Sequence, residues 1–160
     1  MKSITTDTKN SDTPTTNQEN LINLINLQNS ELIKNDQEHY EQNPVSELQM
    51  HKILYLAFGE FYRMYQTNLF SQPNFAAWTY GPVELDYREF LKTKDQKLLE
   101  KFIITVDSQQ LIFLKKLIKQ LLKHSVWHLV NISHTSKAWY DVYHKSPFSA
   151  ISLTDLQTKY

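Results

Sequence analysis

Phe75-Ala76-Ala77-Trp78-Thr79-Tyr80-Gly81-Pro82-Val83 is a short aromatic run set in a chain otherwise patterned for helix. Pro73 closes it upstream and Gly81-Pro82 interrupts it downstream, the punctuation of a brief strand or extended segment. Gly81 precedes a proline, a position driven out of the α region, and glycine widens the backbone choices there. Pro82 has a fixed φ and no amide hydrogen, which suits the first turn of a helix. A helix from about Val83 to Lys92 is therefore predicted.

Upstream of this run, Ser46-Glu47-Leu48-Gln49 matches a capping box, with Val45 and Met50 placed to act as a hydrophobic staple. Met50, Leu54, Ala57, Phe61 and Met64 then follow helical spacing to about Gln66, which marks the first core helix. Thr67–Pro73 reads as a loop. The first twenty residues are mostly Thr, Asn, Ser, Asp and Lys with a single proline, Pro14, and only Met1 and Ile4 are substantial apolar residues. They carry too little apolar surface to offset ordering entropy, so a disordered tail is expected over 1–20. A short repeat follows, Leu21-Ile22-Asn23, Leu24-Ile25-Asn26, Leu27-Gln28-Asn29. Leu21, Leu24, Ile25 and Leu32 share one helical face, interrupted by Gln28. Asparagine is a weak helix former, so this helix is marginal alone; it either docks on the main domain or serves a partner. The polar run from Lys34 to Asn43 reads as a linker, completing an accessory segment over 21–44.

Downstream, Lys97–Thr105 is expected to be helical, on a less regular pattern. Asp107 or Ser108 should cap an amphipathic helix through Lys123. Its apolar face holds Leu111, Leu114, Ile118, Leu121 and Leu122, opposite Lys115, Lys116, Lys119 and Lys123. Ser125 restarts a shorter helix through Val130, Lys137–Tyr143 forms another, and Pro147 breaks the run. Ile151–Tyr160 carries no decisive pattern. The fold class is mainly α: a single compact helical domain over 45–160 with a small β element, preceded by the tail and the accessory N-terminal helix.

Of the 160 residues, 41% are hydrophobic and 12% aromatic, enough for a real core. A domain of about 100–120 residues buries somewhat over ~60% of its unfolded surface and needs no staples. The chain has no cysteine, which removes disulfides, thiolate metal sites and a cysteine nucleophile, and suits a reducing cytoplasm. Seventeen basic and seventeen acidic residues give a formal net charge of zero. Nucleic-acid binders draw most of their affinity from a basic field, and only Arg63 and Arg88 are arginines, so nucleic acid is not the expected partner. Met1–Asn20 contains no apolar core of a signal peptide, and Leu111–Leu122 is cut by lysines and too short to span a bilayer. The expected setting is cytoplasmic, with no membrane partner.

Three patches carry a resemblance. The first is Met50-His51-Lys52-Ile53-Leu54-Tyr55-Leu56-Ala57-Phe58-Gly59. The second is Leu69-Phe70 with Ala77-Trp78-Thr79-Tyr80-Gly81-Pro82-Val83 and Tyr87, and the third is Leu129-Val130-Asn131-Ile132-Ser133-His134 with Trp139. Together they resemble the Panacea-domain family, which includes SocA-like antitoxins and GepA-like phage-associated proteins, over roughly Val45 to Tyr160. The middle patch is the most specific, and both glycines of the chain, Gly59 and Gly81, fall at matching positions. Departures are His51 for a common Gln, Ser133 for a common Thr, and Ala138 where Pro usually precedes Trp139. The resemblance implies a mainly helical domain and an antitoxin role, in which direct binding neutralises a toxin encoded next door. It also implies that sequence outside the domain core helps to choose the partner, which draws attention to residues 1–44.

The motif and partner-binding candidates are Lys52, Tyr55, Trp78, Tyr80, Gly81, Pro82, Val83, Tyr87, His134 and Trp139. Lys52 lies in a helix otherwise committed to apolar packing and is expected to pair with a carboxylate such as Glu84 or Asp86. Trp78 and Tyr87 are expected in the core; Tyr80 fits core or interface equally. His134 either faces a partner or hydrogen-bonds a backbone carbonyl to pin a helix end, and the second reading is preferred. His124 and His128 stand at i, i+4, but Ser125 starts a helix between them and no third ligand lies near in sequence, so no metal is expected. There is no Gly-x-Ser-x-Gly, phosphate loop or His-Glu-x-x-His, and two glycines leave little means for backbone to approach a phosphate. No cofactor and no enzymatic activity are expected.

The sequence therefore points to an antitoxin that occludes a cognate protein toxin through an aromatic-bearing surface. The competing readings are a phage or mobile-element protein that inhibits a host defence system or nuclease, and a proteolytic adaptor. Removing residues 1–44 is expected to leave a folded core with altered partner affinity.

Overall fold

Ser46 opens the central helix in the way its capping box requires: its hydroxyl accepts from the Gln49 amide at 3.1 Å, and Gln49 Oε1 accepts from the Ser46 amide at 3.3 Å. The structure is a computed structural model and describes residues 15–35 and 44–160. Helix Glu47–Tyr65 ends at Gln66 in the left-handed region. It is buried along nearly its whole length from Met50 to Phe61, the mark of a helix at the centre of a fold. Val45 packs against the same core, whereas Met64 turns outward to solvent.

The other elements wrap this helix. In chain order they are strand β1 (Thr16–Asn20), helix α1 (Leu21–Asn35), the central helix α2 (Glu47–Tyr65), strands β2 (Phe75–Trp78) and β3 (Gly81–Glu84), and helix α3 (Leu85–Thr93). A 3₁₀ segment (Gln96–Phe102) leads into strand β4 (Ile103–Asp107), helix α4 (Ser108–Leu122), helix α5 (Val126–His134), helix α6 (Lys137–Lys145) and the short helix α7 (Leu153–Thr158). The β content is two antiparallel pairs, β1 with β4 and β2 with β3. The mainly helical fold with a small β element is thus as the sequence indicates.

Four expectations need correction. Within the expected tail, Thr16–Asn20 is a strand, held in register from Thr16 opposite Asp107 to Asn20 opposite Ile103; residues 1–14 lie outside the described residues. The accessory segment docks on the main domain, the first of its two readings, with Leu21, Ile22, Leu24 and Ile25 buried. Its helix runs on through Lys34 to Asn35, and the rest of the expected linker, 36–43, lies outside the described residues. Pro82 does not open a helix. It lies in β3 opposite Ala77, and the helix begins only after Glu84, whose carboxylate accepts from the amides of Asp86 at 2.8 Å and Tyr87 at 3.3 Å. The segment expected as helix over Lys97–Thr105 is 3₁₀ and then strand. Ile104 and Val106 point inward while Ile103 and Thr105 are exposed, an alternation of period two.

Capping explains most of the remaining boundaries. Asp107 and Gln110 form a second capping box, at 2.8 and 2.9 Å, and Ser125 Oγ accepts from the His128 amide at 3.1 Å. Gly59 lies under the ring of Tyr160: a β-carbon at Gly59 would stand 2.2 Å from Tyr160 Cε2, so only glycine lets these two packed segments approach so closely.

Candidate functional site

The β2–β3 hairpin gathers the motif residues at one place. Its free edge is covered by the segment after Pro147: the Phe148 amide donates to Ala77 O at 2.8 Å, Ala77 N donates to Ser149 O at 2.9 Å, and Ile151 N donates to Phe75 O at 2.8 Å. Its tip is held from the other side by α5 and α6. Trp139 Nε1 donates to Trp78 O at 2.9 Å, and His134 Nε2 donates to Thr79 O at 3.1 Å. The His134, Trp139 and Tyr143 rings stack in series, with centroids 4.1 and 4.9 Å apart. His134 thus bonds a backbone carbonyl as preferred, but it pins the hairpin tip rather than a helix end.

Gly81 is the pivot. Its φ is +102°, a conformation that side chains rarely adopt, and a β-carbon there would come within 2.4 Å of Ser133 Oγ and 2.9 Å of Lys52 Cε. The glycine therefore lets Lys52 of α2 and Ser133 of α5 lie against the hairpin backbone. Lys52 is fully buried, and its Nζ donates to Pro82 O at 2.8 Å. The carboxylates expected to pair with it belong to another cation: Lys101 Nζ lies 2.6 Å from both Glu84 and Asp86. Burial lowers the Lys52 pKa to about 7. Burial also pushes the Glu84 carboxyl up, against the pull of Lys101 and the amides it caps.

Beside Lys52, the buried His51 ring is fixed as one neutral tautomer. Nε2 donates to Glu47 at 3.2 Å and Nδ1 accepts from the Glu84 amide at 3.1 Å, so Nδ1 has no free lone pair for a proton. Burial lowers its pKa to about 4, against the opposing bond to Glu47. Glu47 also takes Arg88 at 2.6 Å, and the Arg88 guanidinium lies 5.0 Å above the Trp78 ring. These groups surround a cleft of about 270 Å³ with Trp78, Tyr80, Val83 and Phe148 among its walls.

Aromatic rings continue outward from the cleft. Phe148 meets Trp78 edge to face at 5.8 Å, and Tyr80 meets Trp127 at 5.6 Å. Tyr80, Trp127 and Phe148 are 57%, 56% and 59% exposed. Phe148 holds this position at φ +68°, unusual for a bulky residue and the kind of outlier that collects at binding sites. Trp78, expected in the core, is only half-buried and forms part of the cleft wall. Tyr87 is in the core as expected. Tyr55 is buried too, hydrogen-bonded to Ser136, and burial raises its pKa to about 12, so it serves packing rather than the cleft.

The structure therefore brings together Lys52, Trp78, Tyr80, Gly81, Pro82, Val83, His134 and Trp139, and leaves Tyr55 and Tyr87 in the interior. Sequence reasoning missed His51, Glu47 and Arg88 as a linked set, because Glu47 and Arg88 are 41 residues apart. Trp127 was legible in principle: the helical wheel of α5 places it off the face of Leu129, Val130 and Ser133, which are buried. His124 and His128 are exposed with rings 4.5 Å apart, and no group of three or more metal-ligating side chains occurs among the described residues. No helix among the described residues is long and apolar enough to cross a membrane.

A family model described as "Antitoxin SocA-like, Panacea domain" matches residues 50–140. No curated protein and no solved structure matches the chain. The matched region contains Lys52, the hairpin, Trp127, His134 and Trp139, while Phe148 lies beyond it.

Proposed function

The chain belongs to the SocA-like antitoxin family with a Panacea domain, and we propose that it neutralises a protein toxin by binding it directly, without turnover, across the aromatic face of the β2–β3 hairpin. The observation that carries this reading is the set of exposed rings at one place, Tyr80 at the hairpin tip, Trp127 on α5 and Phe148 after α6, around a hairpin held from both sides by hydrogen bonds. Exposed aromatics on a rigid support are the composition of interface hot spots, because they offer large contact area with few rotors to freeze. Charged groups of the cleft are engaged with one another: Glu47 holds Arg88 and His51. Occlusion needs no reactive group. A standard interface buries about 1,600 Å² in total and is compatible with tight binding when a few anchors are well seated.

The test is co-expression with each adjacent reading frame, scoring rescue of growth and co-purification. Tyr80→Ala and Trp127→Ala each remove an exposed ring and should leave the fold intact. At a hot spot each should weaken binding by about 2 kcal/mol or more, roughly 30-fold, and abolish rescue. Full rescue by the double variant would remove the hairpin face from the mechanism.

A further inference from the structure

Charge is unevenly divided along this neutral chain. Residues 108–140 carry five lysines and three histidines but no Asp or Glu, so all seventeen acidic residues lie outside them. Four of these lysines stand on one side of α4. Lys115, Lys116, Lys119 and Lys123 fall within an arc of about 100° at helical spacing, opposite the buried Leu114, Ile118, Leu121 and Leu122. Two of the four meet acid from β1 and α1: Glu31 lies 3.2 Å from Lys119, and Lys115 shares a groove with Glu19 and Glu31. Lys116 and Lys123 are exposed and have no ion-pair partner among the described residues.

Lys123 ends α4, and the chain then turns a corner into α5. His124 and His128 meet there with rings 4.5 Å apart, and Trp127 between them in sequence reaches Tyr80 at the hairpin tip. The N-terminus of α5 opens at the same corner, so the positive end of its dipole adds to the lysines. On the cleft side of Tyr80 the charges are balanced, Arg88 by Glu47; on the α4–α5 side they are all of one sign.

We propose that the toxin presents an acidic surface to this corner, its carboxylates meeting Lys116 and Lys123 around an apolar group seated on Trp127 and Tyr80. This rests on the reading that the aromatic face docks the partner, and it adds the charge of that partner. Charges at the rim of an interface act mainly on association rate and on the rejection of wrong partners. Exposed ammonium groups suit that role, since their field reaches a Debye length of about 8 Å at physiological salt. A polyphosphate fits less well. Nucleic-acid affinity grows with the number of phosphates neutralised, and this corner offers two unpaired lysines and no arginine on a chain whose remainder is net acidic.

The probe is a twelve-residue peptide with a central Phe flanked by Glu, compared with its Gln counterpart and with a twelve-nucleotide thymidine strand. Each is titrated into the isotope-labelled full chain and followed at the Trp127 indole resonance. At about 50 mM salt the Glu peptide should shift this resonance saturably and bind at least tenfold tighter than the Gln peptide. At about 500 mM salt the two should agree within twofold. Lys116→Gln with Lys123→Gln should abolish the preference, whereas Lys92→Gln with Lys97→Gln should retain it. All four lysines are exposed, so both double variants should melt as the parent does. Equal binding of the two peptides, tighter binding of the thymidine strand than of the Glu peptide, or a preference that survives in the first double variant or is lost in both overturns the assignment. In co-expression, Lys116→Glu with Lys123→Glu should abolish rescue. Rescue that survives this reversal yet still needs Tyr80 and Trp127 overturns this inference alone; rescue that needs the lysines but is indifferent to those rings overturns only the docking reading.

Discussion

At Lys52 the free chain keeps an amine where water would hold an ammonium. The unfolded group titrates near 10.5 and the folded one near 7, because burial removes the solvent that stabilises its charge. Between those values the unfolded chain binds the extra proton, so stability rises with pH through that window and is lowest, from this group, below about pH 7. A shift of this size corresponds to roughly 3–5 kcal/mol of destabilisation at acid pH. Lys52→Met, which keeps the stem and drops the charge, should therefore raise the denaturation midpoint at pH 6 and flatten the dependence between pH 7 and 10. Urea titrations across that range check this; an unchanged pH profile in the variant would mean that Lys52 is solvated in the native state. Sequence alone shows that a lysine interrupts the apolar pattern of α2, but not its partner, because the choice between Glu84 and a carbonyl depends on where Lys101 lies, seventeen residues from Glu84.

At the scale of elements, the hairpin owes its shape to groups that are remote in the chain. The Trp78 and Thr79 carbonyls accept from Trp139 and His134, 61 and 55 residues away. Trp139→Phe keeps the stack between His134 and Tyr143 but removes the donor to Trp78 O. The expected cost is about 1–2 kcal/mol, from an acceptor left unsatisfied, with a shift of the Trp78 indole resonance that an equally destabilising substitution in α4 would not produce. A melting curve with the indole spectrum separates the two. The same distinction between local and remote causes explains what could be read beforehand. The starts of α2, α4 and α5 are set by side chains three residues from the amides they cap, so sequence showed them directly. β1 is stabilised by partners about ninety residues away, on β4. Nothing in Thr16-Asn17-Gln18-Glu19-Asn20 signals a strand, and its polar composition instead resembles a tail. Pro82 misled for a related reason. A proline is compatible with a first helical turn or with a strand position that forgoes an amide bond, and the glycine before it decided for the strand by admitting Lys52 and Ser133.

For the whole molecule the open issue is what the N-terminal arm contributes, since β1 and α1 precede the region that the family model matches. Leu21, Ile22, Leu24 and Ile25 are buried in the same core as the α2 residues Ile53, Leu54 and Phe58. β1 completes the ladder of β4, and Glu31 of α1 reaches Lys119 of α4 at 3.2 Å. Burying a Leu or Ile side chain contributes about 1.5–3 kcal/mol, so four of them amount to roughly 6–12 kcal/mol, comparable with the total stability of a domain of this size. Deletion of residues 1–35 should therefore unfold or aggregate the protein, contrary to the expectation that a folded core survives removal of the first 44 residues. Ile25→Ala provides the graded version and should cost about 2–5 kcal/mol by leaving a cavity, with the loss read as a lower urea midpoint at unchanged slope. If instead the deletion melts as the full chain does and only neutralisation suffers, α1 is a partner-recognition segment resting on the domain. The packing argues otherwise: residues that touch a toxin must be accessible, and among the apolar side chains of α1 only Leu27 is strongly exposed. Any influence of the arm on partner choice must then pass through Leu27 and the polar face of α1, or through the stability that the arm lends to the body presenting the hairpin.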